Sequence, residues 1–276
     1  MDARRMPDLE NQTELDPREQ EEARQLSSAT VHVVHEAVKQ EGEEELKRST
    51  SALAWSGLAA GLSMGFSLIC EGLLRSRLPD AGWRPLITKF GYSMGFLLVI
   101  LGRQQLFTEN TLTPMLPLFH KPDGATFRNV ARLWAVVLAA NMAGALAIAW
   151  TLAATAAFPA DVRTAFSEIG RESIGLGFGV VVLRGVFAGW LIAMLVWMLP
   201  FAETGRFFVV VAMTWLIGIG GFSHVIAGAV DVLFLAFSGM APWSAAIGGY
   251  ILPALIGNIL GGVALVAVIN HAQVVS

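Results

Sequence analysis

From Ser51 to about residue 270 the chain runs through six apolar stretches, and two of them are broken midway by residues that no lipid-facing helix carries. The stretches lie near 51–74, 86–118, 132–158, 173–200, 207–238 and 243–270. Each is near or above the roughly 20 residues that a helix needs to cross a bilayer core. Inside hydrocarbon every backbone N–H and C=O must find a partner within the protein, so opened backbone survives only where it is buried or lines a cavity. The second and fifth stretches are therefore the informative ones. The second holds the polar run from Gly102 to Pro114, with Arg103, Gln104, Gln105, Thr108, Glu109 and Asn110. The fifth holds Gly218, Gly220 and Gly221 just before His224, the one histidine of the apolar region between Ser51 and residue 270 apart from His120 at the end of the second stretch.

Composition narrows the class. Apolar residues make up 54% of the chain and charged residues only 15%, against roughly a quarter charged in soluble domains. An all-α integral membrane protein is the expected fold class. The charges gather at the start: residues 1–50 form a polar N-terminal tail, 51–270 the membrane domain and 271–276 the C-terminal end. Residues 1–30 are acidic, polar and aperiodic, the pattern of a disordered or loosely helical segment. From Thr30 to Leu46, Val31, Val34 and Val38 recur at helical spacing. This fits a short amphipathic helix lying on the membrane or on a neighbouring subunit, and a solvated tail with a few valines fits equally. Met1-Asp-Ala-Arg-Arg leads into more polar sequence, so it is not a cleavable signal. Cys70 is the only cysteine, which excludes an intrachain disulfide framework. A net charge of −3 points to no nucleic-acid partner.

The two breaks occupy corresponding places in two halves, about 51–158 and 173–270. Thr108 and His224 are 116 residues apart, and Asn141-Met-Ala-Gly144 and Asn258-Ile-Leu-Gly261 are 117 apart. The break-to-asparagine distance is 33 residues in one half and 34 in the other. Matching interruptions in two three-span halves point to an inverted repeat with the site at its interface. Asn141 and Asn258 are expected to hold the opened loops by hydrogen bonds, because buried amides must find partners.

These residues resemble the formate/nitrite transporter family, of which this chain reads as a divergent branch. Leu106-Phe107-Thr108 matches the family's signature in its broken second span. Gly221-Phe222-Ser223-His224-Val225-Ile226-Ala227-Gly228 matches in part that of the fifth. Val196-Trp197-Met198 and Gly257-Asn258-Ile-Leu-Gly261-Gly262 match patterns of the fourth and sixth. The resemblance covers about 51–270 in order. It implies an aquaporin-like six-helix protomer, a homopentamer with one pore per protomer, and passage of small monovalent anions across a bacterial inner membrane. It also implies that His224 and Thr108 face each other at the pore centre, with Leu106, Phe107 and Phe222 beside them and Tyr92 and Phe96 at a constriction. Three polar positions of the family are changed: Gln105 and Ser223 stand where it has acids, and Gly228 where it has asparagine. A further asparagine of its fourth span aligns with Gly189.

Several residues keep two readings. A neutral His224 ring can donate to an anion or lend it a proton, or can tie the broken backbone together. Thr108 can meet the permeant or cap a half-helix. Glu109 either faces the pore, which would favour a cation or neutral solute, or is electrostatically quiet by pairing with Arg103 or lying at a vestibule rim. Arg184 and Asp231 are charges inside spans four and five, where a buried partner pair is the commonest outcome and a transport role the alternative. Gly221 supports the loop.

Lysine and arginine near the membrane number seven on the side of the termini and six on the other. Arg4, Arg5, Arg18 and Arg24 add to the terminal side and favour termini in the cytoplasm. No metal site, cofactor or enzyme is expected, since no His/Cys/acid cluster has ligand spacing and no serine or cysteine has an activating partner pattern. The expected function is a passive or proton-linked channel for a small, monovalent solute of the formate, nitrite or hydrosulfide type. Two alternatives stay open: a conduit for a neutral or cationic solute such as ammonium, and a non-transporting membrane scaffold or sensor.

Overall fold

A computed structural model describes residues 30–275, and the regular structure among them is entirely helical. The tail read as disordered, residues 1–29, lies outside the described residues. The helices are α1 Val31–Lys47, α2 Thr50–Arg77, α3 Arg84–Leu101, α4 Met115–His120 and α5 Gly124–Ala154. They continue with α6 Ala160–Ser173, α7 Phe178–Met198, α8 Arg206–Gly220, α9 Ala227–Phe237 and α10 Trp243–Val274. Of these α2, α3, α5, α7, α8 and α10 are long and apolar enough to cross a membrane. We call the face holding α1 and the chain ends the terminal side, and the opposite face the far side.

The broken spans are each a helix, a re-entrant loop and a short return helix. Helix α8, with its lead-in turn from Glu203, runs to Gly220. The chain then folds back through residues 221–226 and leaves again as α9. In the first half α3 gives way to residues 102–114, which return as α4. The third span begins earlier than its hydropathy suggests, because Asp123 caps α5 by accepting a hydrogen bond from Thr126 N at 2.7 Å.

The repeat is longer than the apolar pattern shows. Residues 160–173 form the amphipathic α6, burying Val162, Phe166 and Ile169, and α6 packs on α9 and α2 as α1 packs on α4 and α7. The halves are thus α1–α5 and α6–α10. One face of α1 packs on its own chain, with Val38 buried against Leu112 and Leu116. His35 Nε2 lies 3.1 Å from His271 Nδ1, joining α1 to the end of α10.

Small residues set the helix crossings, as membrane packing requires when lipid offers no hydrophobic drive. A Cβ on Gly61 would lie 2.1 Å from the carbonyl oxygen of Asn141, and one on Gly189 would lie 2.3 Å from that of Asn258. Gly189 is therefore a close crossing of α7 with α10, with no room for a polar side chain. Overpacking a tight site costs about 1–3 kcal/mol. Gly189→Leu is expected to lower the thermal unfolding midpoint in detergent, while Gly248→Ala, where a Cβ meets nothing within 4 Å, leaves it in place; equal midpoints would refute the tight crossing.

Candidate functional site

The two loops are built to one plan. Helix α8 ends at Gly221, whose φ of +59° suits glycine, and Phe222 N donates back to Ile217 O at 3.0 Å. Helix α3 ends in the same way at Arg103, φ +51°, with Gln104 N donating to Val99 O at 2.9 Å. A non-glycine residue there carries about 1–2 kcal/mol of strain. Each loop is then held by one asparagine. Asn141 accepts from Phe107 N at 2.8 Å and donates to Gly57 O and Gln105 O at 2.8 and 2.9 Å. Asn258 accepts from Val225 N at 2.8 Å and donates to Gly185 O and Ser223 O at 2.9 and 2.8 Å. This register pairs Arg103 with Gly221, Gln105 with Ser223 and Leu106 with His224. Thr108 and His224 are therefore not equivalent positions of the repeat, as their spacing suggested, but they meet.

Thr108 Oγ1 and His224 Nε2 are 2.8 Å apart, and both side chains are fully buried. The ring's other nitrogen, Nδ1, accepts from Ile226 N at 3.3 Å and Ala227 N at 3.2 Å. Two N–H groups aimed at Nδ1 leave it bare, so the ring proton sits on Nε2 and points at Thr108. The same bonds make His224 the cap of α9, so the structural and chemical readings of this ring coexist. Phe96 meets the ring edge-on with centroids 4.9 Å apart, and Tyr92 lies tilted against Phe96 at 5.3 Å. Leu106 and Phe107 are buried in the same core, Phe107 edge-on to Trp134.

On the far side of His224 opens a chamber of about 400 Å³. Tyr92, Phe222, Arg184, Asp231 and Tyr250 line it. Arg184 and Asp231 thus face one space, but they form no ion pair: Arg184 reaches Gly221 O at 3.4 Å. The cations are engaged elsewhere. Lys89 pairs with the buried Glu71 and reaches Glu172 at 3.5 Å, and Arg75 binds Glu168 at 2.9 Å and also Glu172. Burial alone would raise the Glu172 carboxyl, but Lys89 and Arg75 hold it below its ordinary value.

Sequence reading missed Tyr250. A Cβ on Gly228 would lie 2.0 Å from the Tyr250 hydroxyl, so the phenol fills the space that an asparagine would need. It faces Ser223, Ser173 and the His224 backbone. Tyr250 lies in a widened turn, residues 247–251, immediately before Pro253; proline cannot donate to the preceding turn and crowds it. Tyr250 thereby brings a phenol hydroxyl to Ser223 from a different helix.

On the terminal side Glu109 forms no pair with Arg103 among the described residues. The charges acting on it are Glu45 and Glu41 of α1, and its Oε1 is buried without a partner. Glu45 accepts from Gln105 Nε2 at 3.0 Å and from the Thr113 hydroxyl. No group of three or more His, Cys, Asp or Glu among the described residues is arranged to hold a metal.

Burial pushes the Glu45 carboxyl up to about 7, against the pull of its bonds to Thr113 and Gln105. The docked helix therefore holds the proton more tightly than an exposed glutamate, whose pKa is near 4.5. The contribution to docking is full below that value and is lost as pH rises through about 7. Hydrogen exchange of residues 31–47 is expected to quicken over this window beyond the intrinsic rate. Glu45→Gln should flatten the excess, and an unchanged slope in that variant would contradict the assignment.

Comparison with known proteins extends the geometry. Residues 32–272 match the formate/nitrite transporter family model. The inner membrane protein YfdC of Escherichia coli K12 is 41% identical over 241 residues, spanning 87% of this chain and 78% of the relative. Among solved structures, an FNT family ion channel superposes with a TM-score of 0.73 at 20% identity, over 87% of this chain and 98% of that one. A pentameric formate channel with formate bound superposes with a TM-score of 0.67 at 19% identity, over 86% and 99%. The helical fold with two broken spans is thus the fold of these channels, and the chain belongs to the formate/nitrite transporter family.

Proposed function

We propose that each protomer conducts a small monovalent anion of the formate, nitrite or hydrosulfide type through the point where the two broken spans meet. The observation that carries this reading is the fixed Nε2–H of His224, facing Thr108 at 2.8 Å between apolar walls. An N–H donor without a carboxylate beside it favours an anion or its neutral acid over a cation. The N-terminal end of α9 at Ala227 adds the partial positive charge of its helix dipole. Because Nδ1 is committed to two backbone donors, a second ring proton would break the cap. His224 is then a hydrogen-bond donor in the path, while the proton of any coupled transport is carried by another group.

The cationic alternative rested on Glu109, which sits among Glu45 and Glu41 on the terminal side rather than in the chamber. A homopentamer in a bacterial inner membrane, with cytoplasmic termini and no enzymatic activity, completes the proposal. In its favour are the E. coli inner membrane relative and the pentameric assembly named for the formate channel. Large apolar side chains also remain exposed on the single chain, among them Trp55 at 72% and Phe208 at 72%, suited to lipid or to neighbouring copies.

Purified protein in liposomes is expected to pass formate, nitrite or hydrosulfide, and to exclude ammonium and glycerol. Thr108→Val removes one hydrogen bond, worth about 0.5–1.5 kcal/mol, and should slow anion flux by up to about tenfold, with Thr108→Ser near wild type. No anion flux under any pH gradient, or an unaltered rate in Thr108→Val, would refute the reading.

A further inference from the structure

Asp231 is the buried acid that neither the pore centre nor the ion pairs account for. Its residue is only 8% exposed, yet it lines the far-side chamber on α9, about two helical turns beyond His224. Among the described residues its carboxyl makes no hydrogen bond and no ion pair. A charged group at bilayer depth is costly unless it is paired or faces a wet cavity, and such residues mark ion and proton paths.

The surroundings decide which use fits. From α3 the chamber receives Lys89 and Tyr92, from α2 Glu71, from α6 Glu172, from α7 Arg184 and from α10 Tyr250. The long α5 packs apolar side chains, Ala145 and Ala149, in the same cluster as Ala229 and Leu233 of α9. Lys89 is taken by Glu71 and Glu172, and Arg184 leans on the Gly221 carbonyl. Asp231 therefore faces the chamber beside two acids, with Lys89 and Arg184 already engaged by other groups. His224 cannot supply that proton, since its Nδ1 is held by the Ile226 and Ala227 N–H groups.

We propose that Asp231 is the proton-exchange group of the far-side chamber, protonating the anion before it enters the His224 constriction. The inference rests on the anion-channel reading above. In the forward step the Asp231 carboxylic acid gives its proton to the anion, leaving a carboxylate and a neutral acid. The neutral acid crosses the Phe96–His224 passage and releases its proton to water on the terminal side. The Asp231 carboxylate regains a proton from chamber water, so one anion and one proton move together and no other reactant is needed.

The test compares wild type, Asp231→Asn and Asp231→Glu in liposomes, with formate and with formamide, which is similar in size to formic acid and needs no proton. Positioned proton donors contribute roughly 10²–10⁴-fold to a rate. Formate uptake at neutral pH should fall about 100-fold in D231N, with formamide uptake unchanged and formate uptake substantially restored in D231E. Formate uptake and pH profile equal to wild type in D231N would overturn the proposal, and so would a parallel loss of formamide uptake, which marks a structural role. Infrared difference spectra between acid and neutral pH give a readout that needs no transport. A pH-dependent carboxyl C=O band present in wild type and absent in D231N supports proton exchange at Asp231, while identical spectra overturn it. If wild type passes no anion at all, the channel reading falls and the infrared result alone decides the role of Asp231.

Discussion

Two asparagine side chains carry the architecture. Opening a helix inside the membrane strands backbone donors and acceptors where water cannot reach them, and each unmet group costs several kcal/mol. Asn141 and Asn258 meet that demand with the same three bonds each: one accepted from the loop, one donated to the loop and one donated to a glycine carbonyl on a neighbouring helix. Everything at the centre follows from those six bonds. They fix the depth of each loop and the approach of α2 to α5 and of α7 to α10, and hence the line along which Thr108 and His224 can meet.

Two equal brackets hold unequal contents, and the asymmetry is where function enters. The position of the first loop that matches His224 is Leu106, so one half contributes a ring with a directed N–H and the other an apolar wall. Thr108 reaches the ring from two residues further along its loop. The two mouths differ in the same spirit. On the far side the acids Glu71 and Glu172 are tied to Lys89 and Arg75. On the terminal side Glu45 is held by uncharged partners, Gln105 and Thr113, and burial raises its pKa against the pull of those bonds.

Much of this was legible in the sequence because the constraint is written in residue types that are out of place. A polar run and a glycine cluster inside apolar spans announce broken helices, and asparagines at matched distances announce their supports. Spacing alone misled by two residues on the equivalence of Thr108 and His224, because the loops are anchored at Phe107 and Val225 rather than at the residues that carry the chemistry. The amphipathic α6 escaped a reading tuned to long apolar runs, although Val162, Phe166 and Ile169 at helical spacing were there to find. Tyr250 had no sequence signal at all. That it fills the room above Gly228 depends on how α10 widens before Pro253, which only the packed structure reveals. The expected Arg184–Asp231 pair failed for a related reason: hydropathy says that two charges lie in the membrane, not that other groups have claimed the cations first.

The central claim is that His224 presents one fixed proton on Nε2 to the path while Nδ1 caps α9. Nitrogen-15 chemical shifts of His224 in lipid bilayers, assigned by comparison with His224→Gln, report the tautomer directly. The expected result is a neutral ring with a protonated Nε2 and a bare Nδ1. A proton on Nδ1, alone or together with one on Nε2, would contradict it, because the Ile226 and Ala227 N–H groups could not then hold the ring as they do.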